Sequence, residues 1–309
     1  TPDEWLYLFF LAPFKAFKKP YKEKLYVVEA DCDRPYEGKF LAMLLKPNVM
    51  LWTSVSRTHT MNFDKLVKTQ NFKSVESAIA HEFGYFLQYT TDLAILNSDN
   101  ELIKKESLRS KSEIKYISQK FLNNYKVFKD HTEFRIDAKD YSINVLLPKE
   151  TSYSIQMTLA LLEFLNIKPD YSFSKFTLPP GRCNLFKGIK NTTIIDSSYN
   201  ATPSGLRSIL EMFDLYPSDK KWLVLGDMIE LGNEEQEEHE KLADLIASMK
   251  FEKVILVGPR VLKHAYPKLI ASDTLKTPRR WQAESHDSSE VDSKDKIQPF
   301  LMPKAALDY

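Results

Sequence analysis

Glu29, His59, Asn97 and Asp99 each follow a short apolar run, where open α/β sheets place their chemistry, just outside strand carboxyl ends. Glu29 closes LYVVE, His59 ends SVSRTH, and Asn97 and Asp99 lie in LNSDN. A carboxylate and an imidazole on adjacent strand ends can share a divalent metal, with the hard oxygen suiting Mg²⁺. The same two residues also suit a solvated strand-end acid and a hydrogen-bonded structural histidine, and spacing leaves both readings open. Further along, IIDSSYNATP (194–203) runs from a strand through polar residues into a helix start. A helix N-terminus facing a strand end binds anions. Arg182, in LPPGRC, can fork onto a phosphate. An N-cap turn beside a surface arginine is the alternative there.

Composition narrows the chemistry. The 309 residues contain only 8 glycines, and the closest pairs, Gly226–Gly232 and Gly181–Gly188, lie six and seven apart. GxxxxGK[ST] needs glycines five apart and GxGxxG needs two and three, so neither phosphate loop occurs in this chain. Lys+Arg at 43 against Asp+Glu at 42 gives a net charge of +1, which excludes nucleic-acid binding driven by bulk charge. Cys32 and Cys183 are the two cysteines, far apart and outside any CxxC, so a disulfide framework and a thiolate metal site are not expected. The pattern points to a reducing, cytoplasmic setting.

The elements that must position these residues follow a strand–helix rhythm. The first residue is Thr1 rather than Met, and the expectation is that the chain starts inside a longer protein. Trp5–Phe14 (WLYLFFLAPF) is apolar but too short to span a bilayer, and no basic residues precede it. It is expected as a core-facing helix. Strands are expected at Leu25–Ala30, Val49–Val55 and Leu93–Asn97, with helices at Tyr36–Leu45 and Val75–Tyr89 between them, the pattern of a parallel α/β sheet. A charged helical stretch then leads to strands at Glu133–Asp137 and Ser142–Leu147, and to a helix over Ser152–Leu165 capped by Thr151 or Ser152. Ile167–Pro180 reads as a domain junction. Beyond it come strands at Thr193–Asp196, Trp222–Leu225 and Lys253–Val257, with helices at Pro203–Phe213 and Glu235–Met249. From about Thr274 the tail has no apolar period and is expected to be irregular.

Gly181-Arg182, TIIDSSYNATPSGLRSIL, WLVLGDMIELGNEEQEEHEKLADLI (with His239) and VILVG together resemble the C-terminal domain of the Mur ligase family, specifically its D-alanyl-D-alanine-adding type. In the first half, YVVEADCDRP, KPNVMLWTSVSRTH, AILNSDN and SYSIQMTLALLEFLNI are similar, in order, to segments of the family's central domain. The implied fold is α/β: a partial central P-loop-type ATPase domain over residues 1–177, then a small doubly wound Rossmann-like domain over 178–309. The implied activity is ATP-dependent amide-bond formation through an acyl phosphate, joining an amino acid or D-Ala-D-Ala to a UDP-MurNAc-peptide. ATP and Mg²⁺ are the implied cofactors, and the complete enzyme is expected as a monomer without nucleic-acid or membrane partners.

Residue by residue, the resemblance makes Glu29 and His59 catalytic Mg²⁺ ligands. It places Arg182 on ATP phosphates, Asp196 on the nucleotide, and Tyr199, Asn200 and Ser154 on the nucleotide side. The sequence departs from the family at several points. The N-terminal domain and P-loop have no counterpart here, and no KGS-like segment follows Thr274. Phe83 falls where members carry a lysine, carbamylated in many, that supports a second metal. Glu150, Thr151 and Ser154 replace the His-Asn-x-x-Asn whose asparagines meet adenine. These departures leave a second class open, a catalytically inactive binding or scaffold module. Folate-type glutamate-adding relatives carry different residues at the DSSYNATP block.

Overall fold

The computed structural model describes residues 2–16, 25–56, 60–272 and 296–307. The chain divides into two compact units, Thr1–Asp31 and Cys32–Tyr309.

The first unit holds helix α1 (Pro2–Ala16) and an extended segment over residues 25–30. Contrary to the core-facing expectation, α1 leaves its large side chains exposed: Phe9 is 82% accessible and Phe10 and Phe14 73%. Apolar residues all round, with a proline at position 13, give the helix no single face to bury. Leu25–Ala30 is not a strand either, since it joins no ladder among the described residues, and Leu25, Tyr26, Val27 and Val28 are exposed. No helix among the described residues is long and apolar enough to cross a membrane.

The second unit opens with α2 (Glu37–Leu45) and β1 (Val49–Trp52), then α3 (Asp64–Gln70) and α4 (Val75–Tyr89). Ser74 and Ser77 form a reciprocal capping box that starts α4 at the expected residue, each backbone N–H donating to the other's hydroxyl at 3.2 and 3.1 Å. β2 (Leu93–Asn97), buried at every position, lies at the centre of a parallel sheet between β1 and β3 (Glu113–Ile117). Only α5 (Glu101–Ser107) is helical in the stretch expected as a charged helix. The rest supplies β3 and β4 (Leu122–Val127), which end on buried Ile117 and Val127 while Asn123, Asn124 and Lys126 are exposed. Strand β4 pairs antiparallel with β5 (Thr132–Ile136), which pairs with β6 (Lys139–Ile143). Helix α6 (Thr151–Phe164) follows, but its N-cap is Glu150 and no side chain caps it.

A hairpin of β7 (Asn184–Lys187) and β8 (Thr193–Asp196) leads to α7 (Pro203–Leu215), capped by Thr202 with Pro203 in its first turn. Then come β9 (Trp222–Gly226), α8 (Glu235–Ser248), β10 (Lys253–Val257) and α9 (Tyr266–Ala271). The expected irregular tail is partly regular: β11 (Ile297–Phe300) pairs parallel with β10 and α10 (Pro303–Leu307) follows; residues 273–295 lie outside the described residues. Ile297 is 1% exposed and joins Leu225, Val254 and Leu256 in one core. A second cluster joins the two halves of this unit, packing Val127 and Leu146 on Cys183, Met212 and Tyr216.

Candidate functional site

Four of the expected nucleotide residues converge at the open end of the β7–β8 hairpin. Gly181 adopts φ +71°, and a Cβ there would lie 2.9 Å from the Tyr199 backbone nitrogen, so glycine is what lets the two strands' extensions close. Tyr199 N–H donates to Gly181 C=O at 3.2 Å. The adjacent Arg182 guanidinium then lies 4.0 Å from the Tyr199 ring centroid, a cation–π contact. Arg182, Tyr199 and Asn200 are exposed and Asp196 is half-buried. One Asp196 oxygen, Oδ1, accepts from Ser198 N–H at 3.0 Å, which holds the turn after β8. Asn200 Oδ1 accepts from Ala201 N–H at 2.8 Å. Arg182 has no carboxylate partner among the described residues, and its side chain is exposed. The neighbouring Cys183 is buried, and burial pushes its thiol above the ordinary range.

Ser154 stands apart from this cluster on the exposed side of the first turn of α6. Beside it are two polar atoms that sequence reasoning did not anticipate, Glu150 Oε2 and Ser152 Oγ, both buried without a hydrogen-bond partner. Asn97 and Asp99 are brought together, but as structure. Asn97 Nδ2 donates to Thr53 C=O at 2.8 Å and its Oδ1 accepts from Asp99 N–H at 2.9 Å. The Asp99 carboxylate accepts from Ser118 Oγ, Gln119 N–H and Tyr153 Oη at 2.7, 2.6 and 2.8 Å. Burial raises its pKa, but these three donations outweigh it and hold the carboxyl below its usual range.

The metal candidates come together less fully. Glu29 is exposed in the first unit, and His59 lies outside the described residues. Among the described residues no group of three His, Cys, Asp or Glu is arranged to hold a metal ion. Phe83 packs in an apolar cluster with its ring 5.9 Å from Trp52, so it offers no donor to a second ion. Its neighbour Glu82 is 2% exposed, and its Oε2 has no hydrogen-bond partner. The described donor set thus amounts to one free hard oxygen, Glu29, which suits Mg²⁺ in kind but does not complete a site.

His239 had been singled out only as part of a motif. It is fully buried on α8, where its Nδ1 lies 2.7 Å from Glu235 C=O and Met228 N–H donates to its Nε2 at 3.3 Å. It braces the turn after β9. Asp227 Oδ1 in that turn accepts from Arg260 and Val261 N–H at 3.0 and 2.8 Å, starting the helical segment after β10.

The chain is α/β, with a three-stranded parallel sheet, a three-stranded antiparallel sheet, a two-stranded hairpin and a second three-stranded parallel sheet, and Arg182 is exposed just before the hairpin. Residues 181–296 match the Mur ligase, glutamate ligase domain. About three quarters of the chain is similar to UDP-N-acetylmuramoyl-tripeptide–D-alanyl-D-alanine ligases. It is 27% identical over 249 residues to that of Rickettsia prowazekii, covering 74% of this chain and 51% of the relative. To that of Escherichia coli it is 24% identical over 245 residues, 75% of this chain and 52% of the relative. The chain spans about half the length of the curated relatives it matches. In fold it is similar to MurF from Acinetobacter baumannii (TM-score 0.71, 16% identity, 94% of this chain and 58% of that one). It is also similar to a MurF ligase from Thermotoga maritima in complex with ADP (TM-score 0.63, 18% identity, 88% and 62%).

Proposed function

We propose that this chain is the central and C-terminal part of an ATP-dependent ligase of peptidoglycan precursor synthesis, joining D-Ala-D-Ala or an amino acid to a UDP-MurNAc-peptide in the cytoplasm. Its domains divide at 177/178, and the family match beginning at residue 181 supports that division. The observation that carries the reading is the Arg182–Tyr199 pair beside Asp196. A guanidinium held on an aromatic face offers a planar donor fork to a phosphate, while Asp196 offers acceptor oxygen to nucleotide hydroxyls.

The chemistry must bring an anionic carboxylate against an anionic triphosphate and then release phosphate. Fixed cationic donors stabilise the charge that develops there. Arg182 orients the transferring end, Asp196 and Asn200 hold the nucleoside end, and Ser154, in the first turn of α6, is proposed on the nucleotide side by the family resemblance. By the family resemblance Glu29 and His59 are each proposed as Mg²⁺ ligands, and the ion would supply further charge compensation. The family's phosphate loop is not encoded in these 309 residues, and this chain alone is expected to bind ATP weakly.

The test is ADP affinity of the complete gene product by calorimetry. Arg182→Ala is expected to weaken ADP about tenfold or more, the scale of a charge-assisted hydrogen-bond pair. Unchanged affinity would remove the assignment. A second reading, a non-catalytic module that keeps the fold, is favoured by one observation: Phe83 is committed to packing against Trp52.

A further inference from the structure

Along α6, Gln156, Leu159, Ala160 and Glu163 recur at the spacing of one helix face. That face borders a cavity of about 480 Å³. Ile117 of β3 and Ile136 of β5, 5% and 4% exposed, line it from the sheets. Ile117 and Ala160 belong to the core of the parallel sheet, whereas Leu159 packs with Ile136 in the core of the antiparallel sheet. The cavity is thus the seam between two cores. Strand β3 is the last of its sheet, and among the described residues no further strand pairs with it to fill the seam.

One polar group in the wall is incomplete. Gln156 is 8% exposed; its Oε1 accepts from Ser118 N–H at 3.4 Å, and its Nε2 has no hydrogen-bond partner. A buried donor left unmade is costly, and a carbonyl placed against it recovers that cost. The mouth is apolar, since Tyr116, Ile167 and Tyr171 line it and stay 47%, 49% and 42% exposed. The cations there are engaged, Lys115 with Glu163 and Lys139 over the Tyr171 ring. Asp137, exposed at the same mouth, disfavours an anion, and apolar walls disfavour any buried charge. Ser154, the nucleotide-side candidate on α6, does not line the cavity.

We infer that this seam is a binding site for a small uncharged ring compound bearing a carbonyl acceptor, its ring among Ile117, Ile136, Leu159 and Ala160 and its carbonyl on Gln156 Nε2. The volume falls in the range of small-molecule sites, which are mostly apolar with a few placed polar groups. The inference does not rest on the ligase reading, because every wall lies within residues 115–171.

The experiment uses the full chain and benzamide as the probe, titrated by saturation-transfer NMR. Toluene, which lacks the acceptor, and benzoate, which carries a charge, are the comparators. Benzamide is expected to bind wild type in the millimolar range, and benzoate severalfold more weakly. Gln156→Leu keeps the bulk but not the donor. It should weaken benzamide about 2- to 10-fold, the worth of one net hydrogen bond, and leave toluene no weaker. Ala160→Phe should fill the space and remove both; Leu159→Trp, at a half-buried position, is a second filler, and folding of each is checked by circular dichroism. No benzamide binding by wild type, or binding that survives in a folded filler variant, overturns the site. Equal benzamide affinity in wild type and Gln156→Leu, or benzoate bound as tightly as benzamide, overturns the assigned ligand chemistry.

Discussion

His239 offers a perturbation whose size follows from its surroundings. The ring is fully buried, and its two nitrogens serve Met228 N–H and Glu235 C=O. Truncation to alanine leaves the Met228 N–H unsatisfied, at about 1–3 kcal/mol, and adds a cavity term for the lost ring. Together these give about 2–4 kcal/mol of destabilisation. Burial is the largest influence on the ring's pKa and lowers it. Glu235 C=O, Asp227 and Glu235 act upward, and His264 downward, without reversing that direction. The folded state therefore resists the proton that the unfolded chain accepts near pH 6.5. Stability is full above that pH and declines as pH falls below it. A ring that never protonated when folded would set the upper limit of that loss between pH 7 and 5.5 at about 1.3 kcal/mol. Urea unfolding followed by tryptophan fluorescence at both pH values measures this directly. His239→Gln can still hydrogen-bond but cannot titrate, so its pH 7-to-5.5 loss should be smaller, by at most that amount. An identical pH dependence in wild type and His239→Gln would refute the buried neutral ring, and with it the brace on Met228.

Replacing Phe83 by lysine should destabilise by about 2–4 kcal/mol, as expected for a charge placed in an apolar cluster. Added bicarbonate should not restore stability in thermal melts; a bicarbonate-dependent gain would show that the position can take up a carbamate. Asp99→Ala removes the acceptor for three donors that tie β2, the end of β3 and α6, and should cost about 1–2 kcal/mol in denaturant titration. A fragment of residues 178–309 should unfold cooperatively, whereas 178–270 should not, because the latter lacks β11 and its buried Ile297; calorimetry of both fragments decides this.

Helix α4 and strand β2 were legible to the residue because local and tertiary signals agree there. Ser74 starts the helix chemically, and LAILN is apolar on both faces. The clustering of Arg182 with Asp196, Tyr199 and Asn200 was legible because one hairpin and one tight glycine contact join them. Less could be read where pairing is distant. EIKYI resembles a charged helix until Leu93–Asn97 is laid beside it, and IQPF becomes a strand only against VILV. Leu25–Ala30 has β-type residues, but without a paired neighbour composition does not make a strand. The hydrogen bond from Asn233 Nδ2 to Asp64 Oδ2 has no local signature at all. The engagement of Asp99, expected only as lying past a strand end, was not legible because its three donors come from residues 19, 20 and 54 positions away.

The most direct measurement of the central claim is phosphate release from ATP by the complete gene product, with UDP-MurNAc-tripeptide and D-Ala-D-Ala supplied together and separately. The account predicts release that requires both substrates and falls about 10²-fold or more in Arg182→Ala, the scale of removing a donor that stabilises transition-state charge. Release that is absent with both substrates present, or that is indifferent to Arg182, would contradict it.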